Sequence, residues 1–575
     1  MKFSEILRLN KEFRFSLEKT PVYPISVISN VVVNQLQPIL EYELRVNFVN
    51  AEVAIGDYDA IIQDSVKSSE KSMVVLFWEI ANLIDGFQYK APLLSLKETE
   101  ELVERFKSEI DFALKNLEKL PLVLFNKFST LAFNHPYIKK NNFDFICDQL
   151  NNYIESKQSH NVIIIDIDKL IAKCSIEKSF DFRNYYSSKA LYSVDFFREY
   201  ASFIKPIVLS ATGKSKKALI FDCDNTLWNG IVGEDGLDGI QMSSKTAKGV
   251  VFEEVQHLAK DLARKGIVIG LNSKNNASDV NEVFSNNKAI TIKDEDIVIK
   301  KVNWNDKVSN LKEIAKDLNI GIDSLLFVDD SDFEINLVRE TLPQVVTMQV
   351  PKQLYLYPQE FRKRQECFFT LSNSNEDSNR IKMYKDEQKR ETEKASFVNI
   401  GEYLKSLDLS IVVYIDNKAQ IARIAQLTQK TNQFNFTTKR YTETEITSFI
   451  ESKSHKVFTI EVRDKFGDFG LTGVIIVEIK DDSALIDTFL MSCRVLGRNL
   501  ELKFLDLVIE ELRLIGIKKI VASYYKTIKN NQVQVFYENN GFLVMKQNEI
   551  EKFYELNIAN YKLHQLDYIS SKYDR

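Results

Sequence analysis

The sequence predicts an α/β protein of three domains, and three observations carry that expectation. At 575 residues the chain exceeds what one hydrophobic core organises, so two to four domains are expected. Through most of its length, short apolar runs alternate with helical periodicity, which is how a largely parallel sheet covered by helices reads. Glycine is distributed unevenly: Gly56 and Gly86 are the only two in the first 200 residues, while Gly230, Gly233, Gly236 and Gly239 crowd one loop.

The first domain is expected over 1–212, with strands at 24–28, 74–77 and 161–165 and a long amphipathic helix over 98–120. Its end is set by the polar run Ser210-Ala211-Thr212-Gly213-Lys214-Ser215. The second, 213–371, repeats the alternation: strand 218–221, helix 250–265, strand 267–271, helix 277–287, strand 297–299, helix 306–318, strand 324–328. Residues 372–395 are charged, poor in large apolar side chains, and read as a linker or an exposed helix. The third domain, 396–575, reads as α+β, with strands at 410–414, 456–463, 471–479, 484–491 and 517–522 and helices at 421–425, 499–515 and 529–539.

Composition removes several classes of function. A net charge of −5 gives no electrostatic footprint for nucleic acid. No apolar run reaches the ~18 residues a membrane helix needs, and the N-terminus lacks a signal-peptide core. Five scattered cysteines without a CxxC pair argue for a reducing, cytoplasmic setting and against zinc. Five histidines leave few candidates for imidazole catalysis.

The chemistry is concentrated in the second domain. Asp222-Cys223-Asp224-Asn225-Thr226 follows the apolar run Ala218-Leu219-Ile220-Phe221. Two aspartates two apart at a strand end suit phosphoryl transfer: one attacks phosphorus and the other moves a proton. Mg2+ is the expected cofactor, screening both. Three further strand ends supply what that chemistry needs. Ser273, in Asn272-Ser273-Lys274-Asn275-Asn276, places a hydroxyl near a helix start, where it can bond a phosphoryl oxygen. Lys307 opens the next helix with a cation. Asp329 and Asp330 complete a hard oxygen site, and the sequence does not separate the two as metal ligands. The gaps from Asp222 to Ser273 and from Ser273 to Lys307 leave no room for a cap domain, so an open site is expected.

The longer run from Asp222 to Leu237, with Ser273-Lys274-Asn275-Asn276 and Val328-Asp329-Asp330, resembles the FkbH-like family, a capless group of the haloacid dehalogenase (HAD) superfamily. Leu427 to Asn435, Asp464 to Gly470, and Ser492-Cys493-Arg494-Val495-Leu496-Gly497-Arg498 fit the same family. The resemblance implies an SGNH-hydrolase-like domain, a Rossmann-like HAD domain with a parallel sheet, and a GNAT-like acyltransferase domain. It also implies the metal set Asp222, Asp224, Asp329 and Asp330, with Asp224 offering its backbone carbonyl, and substrate contacts from Thr226 and Asn275. Arg494, Gly497 and Arg498 partly resemble a pyrophosphate loop, and Tyr537 stands where a proton donor is found. Cys493 is either a carrier of the acyl group or a buried strand cysteine.

The implied activity is removal of phosphate from 1,3-bisphosphoglycerate and loading of the glyceryl group on the phosphopantetheine arm of an acyl carrier protein. The alternative is a simple phosphatase acting on a phosphorylated sugar or metabolite, with a C-terminal domain that only binds. Two positions depart from the pattern. Asn272 stands where many relatives have cysteine. Ile28-Ser29-Asn30 replaces Gly-Asp-Ser in the first domain, with His135 and His160 expected at the surface rather than in a catalytic triad.

Overall fold

The computed structural model describes residues 1–68, 71–134, 140–159, 161–371, 386–387, 389–390, 393–394, 397, 399–527 and 529–574. His135, His160 and most of the 372–395 segment lie outside them. The chain divides into two compact units, Met1–Thr212 with Tyr441–Glu445, and Gly213–Arg440 with Ile446–Arg575. Among the described residues no helix is long and apolar enough to cross a membrane.

The first unit is built on a five-stranded parallel sheet, β1 (Tyr23–Ser29), β2 (Ala51–Ile55), β3 (Met73–Phe77), β4 (Val123–Asn126) and β5 (Val162–Ile165), in the order β2-β1-β3-β4-β5. Its central strand β3 is buried throughout, as a strand covered on both faces must be. The expected helix 98–120 runs Leu96–Asn116 and starts at a capping box, Ser95 with Glu98. At the carboxyl end of β1, Ser29 Oγ donates to the Phe77 carbonyl at 2.8 Å and accepts from the Val31 amide. Its hydroxyl therefore bridges β1 and β3. Asn30 pairs with the backbone of Glu79 in both directions, at 2.9 and 2.7 Å, and Tyr192 donates to the Glu79 carboxylate at 2.6 Å.

The second unit carries two sheets. The parallel one comprises β6 (Ala218–Phe221), β7 (Val268–Ser273), β8 (Ile297–Val302), β9 (Leu325–Asp329) and β10 (Val346–Gln349), in the order β10-β9-β6-β7-β8. All pairings in it are parallel, so every strand delivers its carboxyl end to one edge. Between β6 and β7 lie a tight turn and the helices Val232–Gly239 and Gly249–Arg264; between β7 and Lys307 lie one helix, Ala277–Asn286, a 3-10 turn and β8. Neither gap contains an inserted domain.

The other sheet is mixed and has nine strands: β11 (Leu409–Ile415), β12 (Phe434–Asn435), β13 (His455–Asp464), β14 (Gly467–Lys480), β15 (Ser483–Met491), β16 (Lys519–Tyr525), β17 (Leu543–Gln547), β18 (Glu551–Asn557) and β19 (Ile569–Asp574). The order is β17-β18-β16-β15-β14-β13-β11-β19, with β12 on β15. The helix expected over 529–539 is instead a 3-10 turn, Asn531–Val533, and the short helix Phe536–Asn539. Asn530 breaks it: its side chain caps Thr527 and bonds the carbonyls of Asn435 and Tyr525. The expectation of exposure over 372–395 fails at Arg390, which is buried and holds Asp464 by two bonds of 2.6 and 2.8 Å. Within this unit Lys529 pairs with Asp323, and Asn319 donates to the Cys493 carbonyl at 2.7 Å, tying the two sheets' layers together.

Candidate active site

β6 ends at Phe221, and the chain turns at once. Asn225 adopts a left-handed conformation (φ 52°), and its side chain accepts from the Gly230 amide at 3.0 Å. Gly230 has φ 107°, and a Cβ there would lie 2.7 Å from the Asp235 carboxylate, so the turn requires glycine. This turn re-aims Asp224. Its carboxylate accepts from Trp228 Nε1 at 2.9 Å, the Val232 amide at 3.0 Å and Asn275 Nδ2 at 2.7 Å. Burial raises the Asp224 pKa above the usual carboxylate value, held back by the Val232 amide and Trp228. A fixed carboxyl that retains its proton more readily than a surface aspartate is suited to act as an acid.

Lys307 reaches the same edge from the helix Lys307–Asp317, whose first turn is capped by Asp306 accepting from the Ser309 amide at 2.8 Å. Its ammonium is buried, 3.1 Å from Asp222 and 2.5 Å from Asp329. Burial works against that charge, but Asp222 and Asp329 outweigh it and hold the Lys307 pKa above the ordinary lysine value. Asp329 is pushed up by burial and by Asp222, against the pull of Lys307; Asp330 is raised for the same first two reasons. Each of Asp222, Asp329 and Asp330 offers an oxygen within 4.8 Å of the others. Fully ionised, the three carboxylates against one ammonium carry a charge of −2 at a largely buried edge. An all-oxygen donor set with that excess fits a divalent cation such as Mg2+. Asp224 is outside this trio, its carboxylate committed to three donors.

The structure gathers Asp222, Asp224, Thr226, Ser273, Asn275, Lys307, Asp329 and Asp330 at one edge. Ser273 is buried, with its hydroxyl bonded to the Cys223 thiol, which burial keeps protonated. Thr226 is fully buried, and among the described residues its hydroxyl has no partner. The remaining candidates belong to the mixed sheet. Cys493 opens a 3-10 turn just past β15. Arg494 Nε bonds Ser492 Oγ at 3.1 Å, and Gly497 takes φ 79°. Arg498 is buried, donating from one nitrogen to both Glu387 oxygens at 2.7 and 2.8 Å and from another to the Arg494 carbonyl. Tyr537 is buried against Phe436, burial raises its pKa, and its hydroxyl has no partner among the described residues.

No family model matches the chain, and no curated protein does. Among solved structures, the N-terminal part of the protein BF1531 from Bacteroides fragilis, which contains a phosphatase domain complexed with Mg, is 25% identical. The match covers 65% of this chain and 100% of that one, with a TM-score of 0.55. The ribosomal-protein-S18-alanine N-acetyltransferase from Escherichia coli is 13% identical, over 27% of this chain and 97% of its own, with a TM-score of 0.22. A spermidine N-acetyltransferase (SpeG) mutant from Vibrio cholerae is 16% identical, over 26% and 95%, also at 0.22. The last two likenesses are too low in score to assign anything. The first is a likeness in fold to a protein part that contains a phosphatase domain and was crystallised with Mg.

Sequence reasoning marked Asn272 only as a departure from the family pattern and missed its role, with Asn303 and Asn310, in holding this edge. Asn272, at the end of β7 and fully buried, donates to the Lys307 carbonyl at 3.0 Å and accepts from Asn310 Nδ2 at 3.0 Å. Asn310 also donates to Asn303 at 3.0 Å, and the Asn303 amide bonds the Ser273 carbonyl. The helix carrying Lys307 is thereby tied to the strand carrying Ser273. Lys274 pairs at 2.6 Å with Glu334, buried in the helix that follows Asp330. The density of asparagine between 272 and 310 was the available signal.

Proposed function

We propose that the protein is a Mg2+-dependent phosphohydrolase with Asp222 as its nucleophile, acting either within an acyl-delivery reaction or on a free phosphate ester. The observation that carries this reading is the Lys307 ammonium between Asp222 and Asp329, with Asp330 alongside. Asp222 attacks phosphorus; the leaving oxygen takes the proton of Asp224; a water then adds to the aspartyl-phosphate while Asp224 accepts its proton, and phosphate departs. Ser273 and Lys307 bond the phosphoryl oxygens, the serine turning from Cys223 to do so. Asp222, Asp329 and Asp330 would hold Mg2+, which would supply charge neutralisation for the phosphoryl group.

The resemblance to the FkbH-like family supports the finer reading. Its donor is 1,3-bisphosphoglycerate: the thiol of a carrier protein's phosphopantetheine takes the acyl carbon as one phosphate leaves, and the phosphate ester is hydrolysed at Asp222. Incubation with Mg2+, this donor and a holo-carrier protein should release phosphate and add a glyceryl mass to the carrier. Phosphate release without that mass over several carriers would overturn the acyl branch.

One observation favours a plain phosphatase on a sugar or metabolite phosphate. Where the Arg494–Arg498 loop meets the helix Leu500–Leu514, Arg498 is already paired with Glu387. The Glu501 carboxylate lies in the first turn, its pKa raised by burial. A carboxyl thus stands in the helix turn to which the resemblance would bring a cofactor's phosphates.

A further inference from the structure

An uncapped site must take its contacts with the leaving group from its own rim. The chain between β8 and Lys307 forms part of that rim and carries an unusual residue. Trp304 is 70% exposed, whereas Trp78 and Trp228 are buried. Burying an aromatic of this size ordinarily stabilises a fold by a few kcal/mol, so an indole left in water forgoes that gain. It is nevertheless tied down, because Trp304 Nε1 donates to Asn276 Oδ1 at 3.1 Å. The Asn276 amide donates to Asn275 Oδ1 at 3.1 Å, and Asn275 Nδ2 donates to Asp224 at 2.7 Å. A chain of two asparagines therefore connects the exposed ring to the carboxyl that protonates the leaving group. On the other side, the Asn303 amide on the Ser273 carbonyl fixes the backbone of the same loop against β7. The ring is anchored at its polar edge and otherwise open to water, two asparagines away from Asp224.

We propose that Trp304 is the surface on which the substrate's leaving group stacks, and that the substrate is a phosphate ester of a ring-bearing molecule, aromatic or sugar. Flat apolar faces and the C–H faces of sugar rings pack on indole, whereas an acyclic glyceryl group offers no comparable face. The inference rests on the phosphoryl-transfer reading and selects its sugar-or-metabolite branch.

The test uses the full-length protein with phenyl phosphate, glucose 6-phosphate and glycerol 3-phosphate. In Asp222→Asn protein with Mg2+, the red edge of tryptophan emission reports Trp304, since the other two tryptophans are buried. One or both ring esters should quench it and glycerol 3-phosphate should not; an aromatic and a sugar source are told apart by which ester quenches. In otherwise native protein, Trp304→Ala should lower kcat/KM for the quenching ester, relative to glycerol 3-phosphate, by about tenfold, through KM. Equal quenching by all three esters, quenching by none, or an equal loss in kcat/KM for all three would overturn the proposal. If no ester is hydrolysed by the native protein, the phosphoryl reading fails, and the emission measurement still decides the role of Trp304.

Discussion

The Lys307 ammonium lies 2.5 Å from the Asp329 carboxylate, and both groups are buried. The same cation is 3.1 Å from Asp222, so it restrains the nucleophile and its acidic neighbour together. Replacing it with methionine keeps the volume but leaves buried carboxylates facing one another. Lys307→Met should lower phosphate release at least 100-fold, the scale seen when one charge-stabilising donor is lost from an active site. It should also lower the melting temperature in Mg2+-free buffer, and added Mg2+ should restore more of it than in the native protein. A variant with an unchanged rate would remove Lys307 from the chemistry.

Asn272 acts on Lys307 through the backbone. Its amide is the bond between β7 and the first turn of the lysine helix. Asn272→Ala leaves one Asn310 donor without its partner in a buried setting and removes the side-chain bond to the Lys307 carbonyl, which costs about 1–3 kcal/mol in stability. If the network positions Lys307, kcat should fall about tenfold with KM little changed, because the lysine is displaced more in the transition state than in the bound substrate. Steady-state kinetics beside a urea melt separate the two effects. A stability loss with kcat intact would reduce Asn272 to a purely structural role.

Much of this edge was legible in the sequence, for a physical reason. A parallel sheet buries its strands on both faces, so Ala218–Phe221 and Leu325–Val328 appear as unbroken apolar runs, and the topology brings all their carboxyl ends to one side. Asp222, Ser273, Lys307 and Asp329 each follow such a run by a residue or a short loop. What could not be read depends on turn geometry or distant pairing. The bond from Trp228 to Asp224 exists because Asn225 enters the left-handed region and Gly230 permits the return. β19 pairs with β11, about 160 positions earlier, and β17 has all five residues exposed, so neither shows the alternation of a half-buried strand. The neutralisation of Arg498 by Glu387 joins positions 111 apart and left no local trace.

Glu79 should make the first unit sensitive to pH. Burial raises its pKa to about 7, while Tyr192 and the Ala81 amide oppose the shift. The folded carboxyl keeps its proton to about pH 7, whereas the unfolded one releases it near 4.5. Between these values the folded state binds more protons, so stability falls as pH rises through the window, by roughly 3 kcal/mol in all. Below it the penalty is absent, and above it the penalty is complete. Glu79→Gln is neutral throughout and keeps an acceptor for Tyr192. Hydrogen exchange at β1 and β3 amides at pH 5 and pH 8 should show a pH-dependent loss of protection in the native protein that the variant largely lacks.

Arg498 and Glu387 set two roles against each other. If the guanidinium serves a cofactor's phosphates, Glu387 is a competitor, and Glu387→Gln should tighten coenzyme A binding while Arg498→Ala weakens it. The geometry argues otherwise: both carboxylate oxygens lie within 2.8 Å of one nitrogen, another nitrogen holds the Arg494 carbonyl, and the guanidinium packs on Phe469 at 5.3 Å. A side chain with its charge matched and its stem buried is part of the scaffold. Glu387→Gln should therefore lower stability the more, since it leaves the buried Arg498 guanidinium without its carboxylate, whereas in Arg498→Ala the part-exposed Glu387 keeps Arg390 at 3.2 Å. The double variant should be less damaging than the sum, with a coupling of at least about 1 kcal/mol. Calorimetric titration with coenzyme A should give the same result for both singles as for the native protein. A tighter complex in Glu387→Gln would return Arg498 to the cofactor site and strengthen the acyl-delivery branch.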